Sequence, residues 1–107
     1  MPVRSERRRY IWIHLETKKI LDSKLLNEII EDKIHFLYGL KGAIDINYKL
    51  IDFFSEDKDA ILRCNHKKLN DMRTVLAHIT KLKEDDCRVD VKKVSGTIKA
   101  LRQKVIT

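Results

Sequence analysis

Between Arg88 and Arg102 the chain reads RVDVKKVSGTIKALR, and the residue types in that stretch suit one kind of chemistry, the holding of a phosphate. Val89 and Val91 alternate with Asp90 and Lys92 as in a strand with one buried face, while Ile98, Leu101 and Val105 recur at helical spacing. Ser95, Gly96 and Thr97 therefore predict a tight turn into a helix, with Ser95 as its N-cap. The first turn of a helix leaves backbone N–H groups unpaired and carries the positive end of the helix dipole, so an anion is stabilised there. Lys92, Lys93, Lys99 and Arg102 add full charges around that point. Gly96 is expected at a positive φ, where a β-branched residue is strained and also holds a phosphate away from the backbone. An ordinary capped helix with solvated lysines uses the same residues, so the stretch by itself leaves two readings open.

The distribution of charge separates them. The 107 residues carry a net charge of +7. Residues 1–10 hold Arg4, Arg7, Arg8 and Arg9 against Glu6, a net of +3, and residues 88–104 hold six cations against Asp90, a net of +5. Residues 11–87 sum to −1. A mixed-sign middle is an ordinary solvated surface, whereas an excess gathered at the two ends is the electrostatic footprint of a polyanion binder. Arg4, Arg7, Arg8, Arg9, Lys92, Lys93, Ser95, Gly96, Thr97, Lys99 and Arg102 are accordingly the candidate nucleic-acid-binding residues.

Other chemistries find little support. There is no G-x-S-x-G, P-loop or HExxH motif, and TKKILDSK after the first strand lacks the glycines of a phosphate-cradling loop. His14, His35 and His78 have no nucleophile or carboxylate arranged with them in sequence, and they read as structural or solvated. Cys64 and His66 fall on one face of a predicted strand, but zinc requires four placed ligands and none of the others is nearby. Catalytic residues, a bound metal and a protein-bound cofactor are not expected. The two cysteines, in no CxxC pattern, read as reduced thiols. No apolar run approaches the roughly 18 residues that span a bilayer, and no signal-peptide h-region follows the basic N-terminus, so a cytoplasmic location is expected.

The elements that must position the basic residues follow from periodicity. A hydrophobic content of 43% over this length suits a single domain, residues 1–107, with residues 1–7 as a basic arm. RRYIWIHLE is a first strand, with Ile11, Ile13 and Leu15 on one face and Tyr10, Trp12 and His14 on the other. Asp22 or Ser23 caps a first helix with an apolar stripe of Leu25, Leu26, Ile29, Ile30, Ile34 and Leu37, which Gly39 is expected to end. Gly39 to Gly42 then makes a turn into a second strand over 43–54. DAILRCN is the third strand, with Ala60, Leu62 and Cys64 inward and Arg63 outward. Leu69, Met72, Val75, Leu76, Ile79 and Leu82 mark a second helix, and the basic stretch supplies the fourth strand and an extra C-terminal helix.

Strand, helix, strand, strand, helix, strand is the split βαβ order. It predicts an α+β, ferredoxin-like (RRM-like) sandwich whose antiparallel sheet is ordered 4-1-3-2, with two helices on one face. In that order the end of the fourth strand lies beside the start of the first, so the two basic ends become one patch. RNA-binding domains of this fold stack bases on aromatics of the central strands, but the third strand here has none. Tyr10 and Trp12 on the open face are then covered by the last helix, through Ile98, Leu101 and Val105, or stack bases themselves, or form a partner-binding surface.

Leu62-Arg63-Cys64, Gly39-Leu40-Lys41-Gly42-Ala43 and above all Val94-Ser95-Gly96-Thr97-Ile98-Lys99 resemble the ribonuclease P protein component 2 family of archaea and eukaryotes, from Arg9 to the end. The resemblance implies a non-catalytic subunit of a ribonucleoprotein endoribonuclease that removes the 5′ leader of precursor tRNA. In that assembly a catalytic RNA with bound Mg²⁺ does the chemistry and component 3 is a protein partner. It also implies that Gly96, Thr97 and Lys99 lie at the RNA contact. A free-standing RNA-binding or ribosomal accessory protein is the alternative closest to this, and a small acyl- or phosphate-ester hydrolase is the alternative from another class.

Overall fold

A computed structural model describes residues 7–18, 22–82 and 85–101. In chain order the elements are β1 (Arg8–Thr17), α1 (Ser23–Ile46), β2 (Lys49–Phe54), β3 (Asp59–Asn65), a 3₁₀ turn (His66–Lys68), α2 (Leu69–Ala77), β4 (Lys81–Leu82) and β5 (Asp85–Ser95). Residues 98–101 form a closing helical turn. The strands pair antiparallel in the order β2-β3-β1-β5-β4. β5 is the fourth strand of the sequence reading, so the ferredoxin-like order 4-1-3-2 holds, with the two-residue β4 added outside it.

Alternation along the strands decides what each face of the sheet buries. Ile11, Ile13 and Leu15 of β1 and Ala60, Leu62 and Cys64 of β3 are buried with Leu26, Ile30 and Ile34 of α1 and with Met72, Val75 and Leu76 of α2. Both helices thus share one face of the sheet. On the other face Trp12, Ile61 and Leu101 form a second, smaller cluster, flanked by Tyr10, Ile51 and Phe54. The closing helical turn covers that half of the sheet.

The sequence reading needs correcting at several places. Asp22 caps α1 as expected, its Oδ1 accepting from the Leu25 N–H at 2.7 Å, and the helical run does break at Gly39, but the expected turn into a strand does not follow. The helix kinks there, at φ 73° and ψ −173°, and continues to Ile46. That backbone region is essentially restricted to glycine, so Gly39 redirects the helix where a strand was expected to begin. Gly42 serves the same bend by close approach, since a Cβ there would collide with Cβ of Tyr38. The helix ends at Asn47, a left-handed C-cap whose N–H bonds to the Ala43 carbonyl at 3.1 Å.

At the second helix, α2 closes at Ala77 and not at Leu82: Ile79 still reaches the core, but residues 81 and 82 leave to pair with β5. The third correction is a register shift opposite Trp12 and Ile13, where Lys93 pairs with Trp12 and Val91 with Ile13. Lys92 is the extra residue of this bulge, and the shift turns Val94 into the core where simple alternation would have put Lys93. The fourth correction concerns the cap of the last helix and belongs to the site.

Candidate nucleic-acid interface

Antiparallel pairing of β1 with β5 places Tyr10 opposite Ser95 and Ile11 opposite Val94. The arginines at the start of β1 therefore stand beside the turn that ends β5, as the topology predicted. Nη1 of Arg9 lies 3.5 Å from the point a Cβ on Gly96 would occupy, and it donates to the Arg8 carbonyl at 3.4 Å. The Arg7 carbonyl accepts from the His66 N–H at 3.0 Å and from its Nδ1 at 3.1 Å, which ties the start of β1 to the end of β3.

Around this corner Arg7, Arg8, Lys92 and Lys99 are exposed and Arg9 is half-buried. Three cations elsewhere on the surface are matched with acids: Lys41 with Asp45 at 3.6 Å, Lys68 with Asp71 at 3.9 Å, Arg88 with Asp90 at 3.2 Å. Among the described residues, no carboxylate forms such a pair with Arg7, Arg8, Arg9, Lys92 or Lys99. Arg4 and Arg102 lie outside the described residues.

The turn itself is built differently from the expectation. Ser95 is the last residue of β5, and its Oγ accepts from the Thr97 N–H at 3.3 Å. Thr97 is the helix cap: its Oγ1 accepts from the Ala100 N–H at 3.1 Å and its carbonyl from the Leu101 N–H at 3.2 Å. Gly96 does not take a positive φ, so the conformational reason assigned to it falls away. It leaves open backbone beside the Arg9 guanidinium.

Trp12 is turned inward, although it was a candidate partner-binding residue. It is 9% exposed, stacks on Phe54 at 5.5 Å and 20°, and donates from Nε1 to Asp59 Oδ2 at 3.0 Å. The other oxygen of Asp59 accepts from His14 Nδ1 at 2.6 Å, and His14 Nε2 lies 3.2 Å from Glu16. Leu101 packs over the indole, as the covering helix of the sequence reading required. Ile98 is half-buried, and Val105 lies outside the described residues. Tyr10, also half-buried, is the member of the pair left at the surface.

Burial raises the Cys64 thiol to about 11 against the opposing pull of Arg9, and burial raises Cys87 to about 11 as well. Both are free thiols held neutral. His66 sits in the 3₁₀ turn and not on the strand with Cys64.

Two features escaped the sequence reading. Phe36, before the kink, and Leu40 and Ile44, after it, are 79%, 70% and 68% exposed. Beside them is a cavity of about 210 Å³ lined in part by Leu40, Ile44 and Tyr48. The Tyr48 hydroxyl is buried without a hydrogen-bond partner, and its burial pushes its pKa well up. The second is Arg63, whose guanidinium lies on the open face of the sheet with its Nε buried and unpartnered.

A family model, the Rpp14/Pop5 family, matches residues 9–106, which takes in β1, the whole sheet and the basic turn. The chain belongs to the Rpp14/Pop5 family. Among curated relatives it is 26% identical over 109 residues to ribonuclease P protein component 2 of Methanobrevibacter smithii, covering 95% of this chain and 91% of the relative. Among solved structures it superposes on a chain of the yeast ribonuclease MRP cryo-EM structure with a TM-score of 0.69 at 13% identity, covering 98% of this chain and 92% of that one. At that identity the likeness shows the fold. The Rpp14/Pop5 match includes each candidate contact from Arg9 to Arg102 and leaves Arg4, Arg7 and Arg8 outside it.

Proposed function

We propose that this protein is a non-catalytic subunit of ribonuclease P that binds and stabilises the catalytic RNA removing the 5′ leader of precursor tRNA. The observation that carries the reading is the corner where the start of β1 meets the end of β5. There Arg7, Arg8, Arg9, Lys92 and Lys99 gather around a capped helix start with no carboxylate ion-paired to them among the described residues. Such a corner recognises phosphates and screens charge where RNA segments crowd together, without reading base sequence. Membership of the Rpp14/Pop5 family and likeness to a ribonuclease P protein component 2 support the choice of RNA. In this reading Mg²⁺ is held by the RNA, the work is cytoplasmic, and ribonuclease P protein component 3 is the protein partner. With Trp12 inside the protein, the exposed Phe36, Leu40 and Ile44 are the surface offered to that partner.

The test is cleavage of 5′-labelled precursor tRNA with each component omitted in turn at limiting Mg²⁺. The protein alone is expected to leave the substrate uncut, and its omission from a mixture with ribonuclease P RNA and component 3 is expected to depress cleavage. Cleavage by the protein alone, or unchanged cleavage without it, contradicts the proposal.

A further inference from the structure

Strand pairing sets four residues in a row across the open face of the sheet: Lys49 of β2 opposite Arg63 of β3, Arg63 opposite Tyr10 of β1, and Tyr10 opposite Ser95 of β5. At an inter-strand spacing of about 4.8 Å the row runs some 14 Å. It begins at the turn holding Gly96 and ends at the exposed Lys49. One row further along the strands, Ile61 and Trp12 lie under the cover of Leu101, so the face changes from open to closed within two residues of each strand.

Arg63 is the unusual member. Its guanidinium is a permanent cation, yet Nε is buried and no protein group accepts from it. With Nε enclosed and no acceptor from the protein beside it, the charge of Arg63 is left to be met from outside the chain at its two terminal nitrogens, which are not buried. Neither Arg63 nor Lys49 forms an ion pair among the described residues. Tyr10 beside them is half-buried with its ring on the same face.

We infer that this row is a second phosphate-binding track, over which a single-stranded RNA segment leaves the Arg9–Gly96 corner and crosses the sheet toward β2, with Arg63 as its central contact. The inference rests on the proposed RNA-binding role and extends it to residues that reading does not use. The two terminal nitrogens of the guanidinium, which are not buried, present parallel N–H donors to a phosphate, a geometry lysine does not supply. The Tyr10 ring alongside offers a platform for one base. Sheet faces of this fold suit single strands and not duplexes, because a splayed strand lies flat on them.

The experiment is a fluorescence-anisotropy titration of the full chain with a labelled single-stranded oligouridylate and, separately, with ribonuclease P RNA, over a range of salt. Arg63→Gln is expected to weaken oligouridylate binding about tenfold and to lower the log-log salt slope by about 0.7, the single-strand value for one phosphate. Arg63→Lys should restore the slope but not the affinity. Lys49→Ala should act in the same direction, which keeps the test decisive if circular dichroism finds Arg63→Gln misfolded; Lys41→Ala, paired with Asp45, should change nothing. Normal binding of both RNAs by Arg63→Gln and Lys49→Ala overturns the track and leaves the proposed function standing. Failure of the unaltered protein to bind either RNA overturns both.

Discussion

The open face of the sheet has two halves that differ in every physical respect. One is apolar and sealed: Trp12 lies against Phe54, under Leu101, with its N–H held by Asp59. The other, two residues away along each strand, carries Arg63, Tyr10 and Lys49 and abuts the arginines of β1. In a ferredoxin-like RNA binder the whole face is ordinarily free for bases. Here the closing helix has taken half of it into a second core, so the proposed RNA recognition is left to charge at the other half and at its corner. The sealed half should govern stability, and the open half should govern affinity.

Trp12→Ala tests the first part with the largest expected effect. Removing a buried indole from a packed cluster costs about 3–5 kcal/mol, measured by urea denaturation. RNA affinity per folded molecule should hardly change. A strong loss of affinity from a variant that remains folded would place the indole in the RNA contact and dissolve the distinction between the halves.

Asp59→Ala should cost less, about 1–3 kcal/mol, because it strands the Trp12 N–H and the His14 ring nitrogen together. The same denaturation series checks it, and a loss below 0.5 kcal/mol, the ordinary range for a surface substitution, would mean the carboxylate does not hold the indole in place.

Glycine substitutions give the sharpest contrast, and one of them the smallest effect. Gly39→Ala must adopt φ 73° and ψ −173°, a strain of about 1–3 kcal/mol. Gly96→Ala meets only the Arg9 guanidinium at 3.5 Å and should be neutral in stability to within about 0.5 kcal/mol. Any effect of Gly96→Ala should appear in RNA binding, where the new methyl crowds the phosphate. A melting series on the two variants decides it.

Much of this was legible in the chain because it depends on alternation. The faces of β1 and β3, the sheet order and the meeting of the two basic ends all follow from period-two patterns and short connections. What was not legible depends on local geometry that one-letter patterns do not carry. Gly39 reads as a helix stop and does break the helical run, but a second run follows at once, and Ala43-Ile44-Asp45-Ile46 alternates well enough to pass for a strand. The bulge at Lys92 shows only as a shift in which valine is buried. Ser95 and Thr97 are equally good caps by type, and hydrogen-bond geometry alone chooses Thr97. Arg63 reads as outward but takes no role from its sequence, because a lone outward cation on a strand is ordinary; its unpartnered Nε is a fact of packing.

The central claim is that uncompensated cations at the β1–β5 corner bind RNA through phosphates, and the salt dependence of binding to ribonuclease P RNA tests it most directly. Neutralising about five phosphates gives a log-log slope of about −3.5 to −4.5. Replacing Arg7, Arg8 and Lys92 with alanine should flatten the slope by about 2 to 3, at about 0.7 to 0.9 for each lost contact. Replacing Lys41 and Lys68, whose charges are already matched by Asp45 and Asp71, should leave it unchanged. A slope near zero in the unaltered protein, or equal flattening by the two sets of substitutions, would contradict the account.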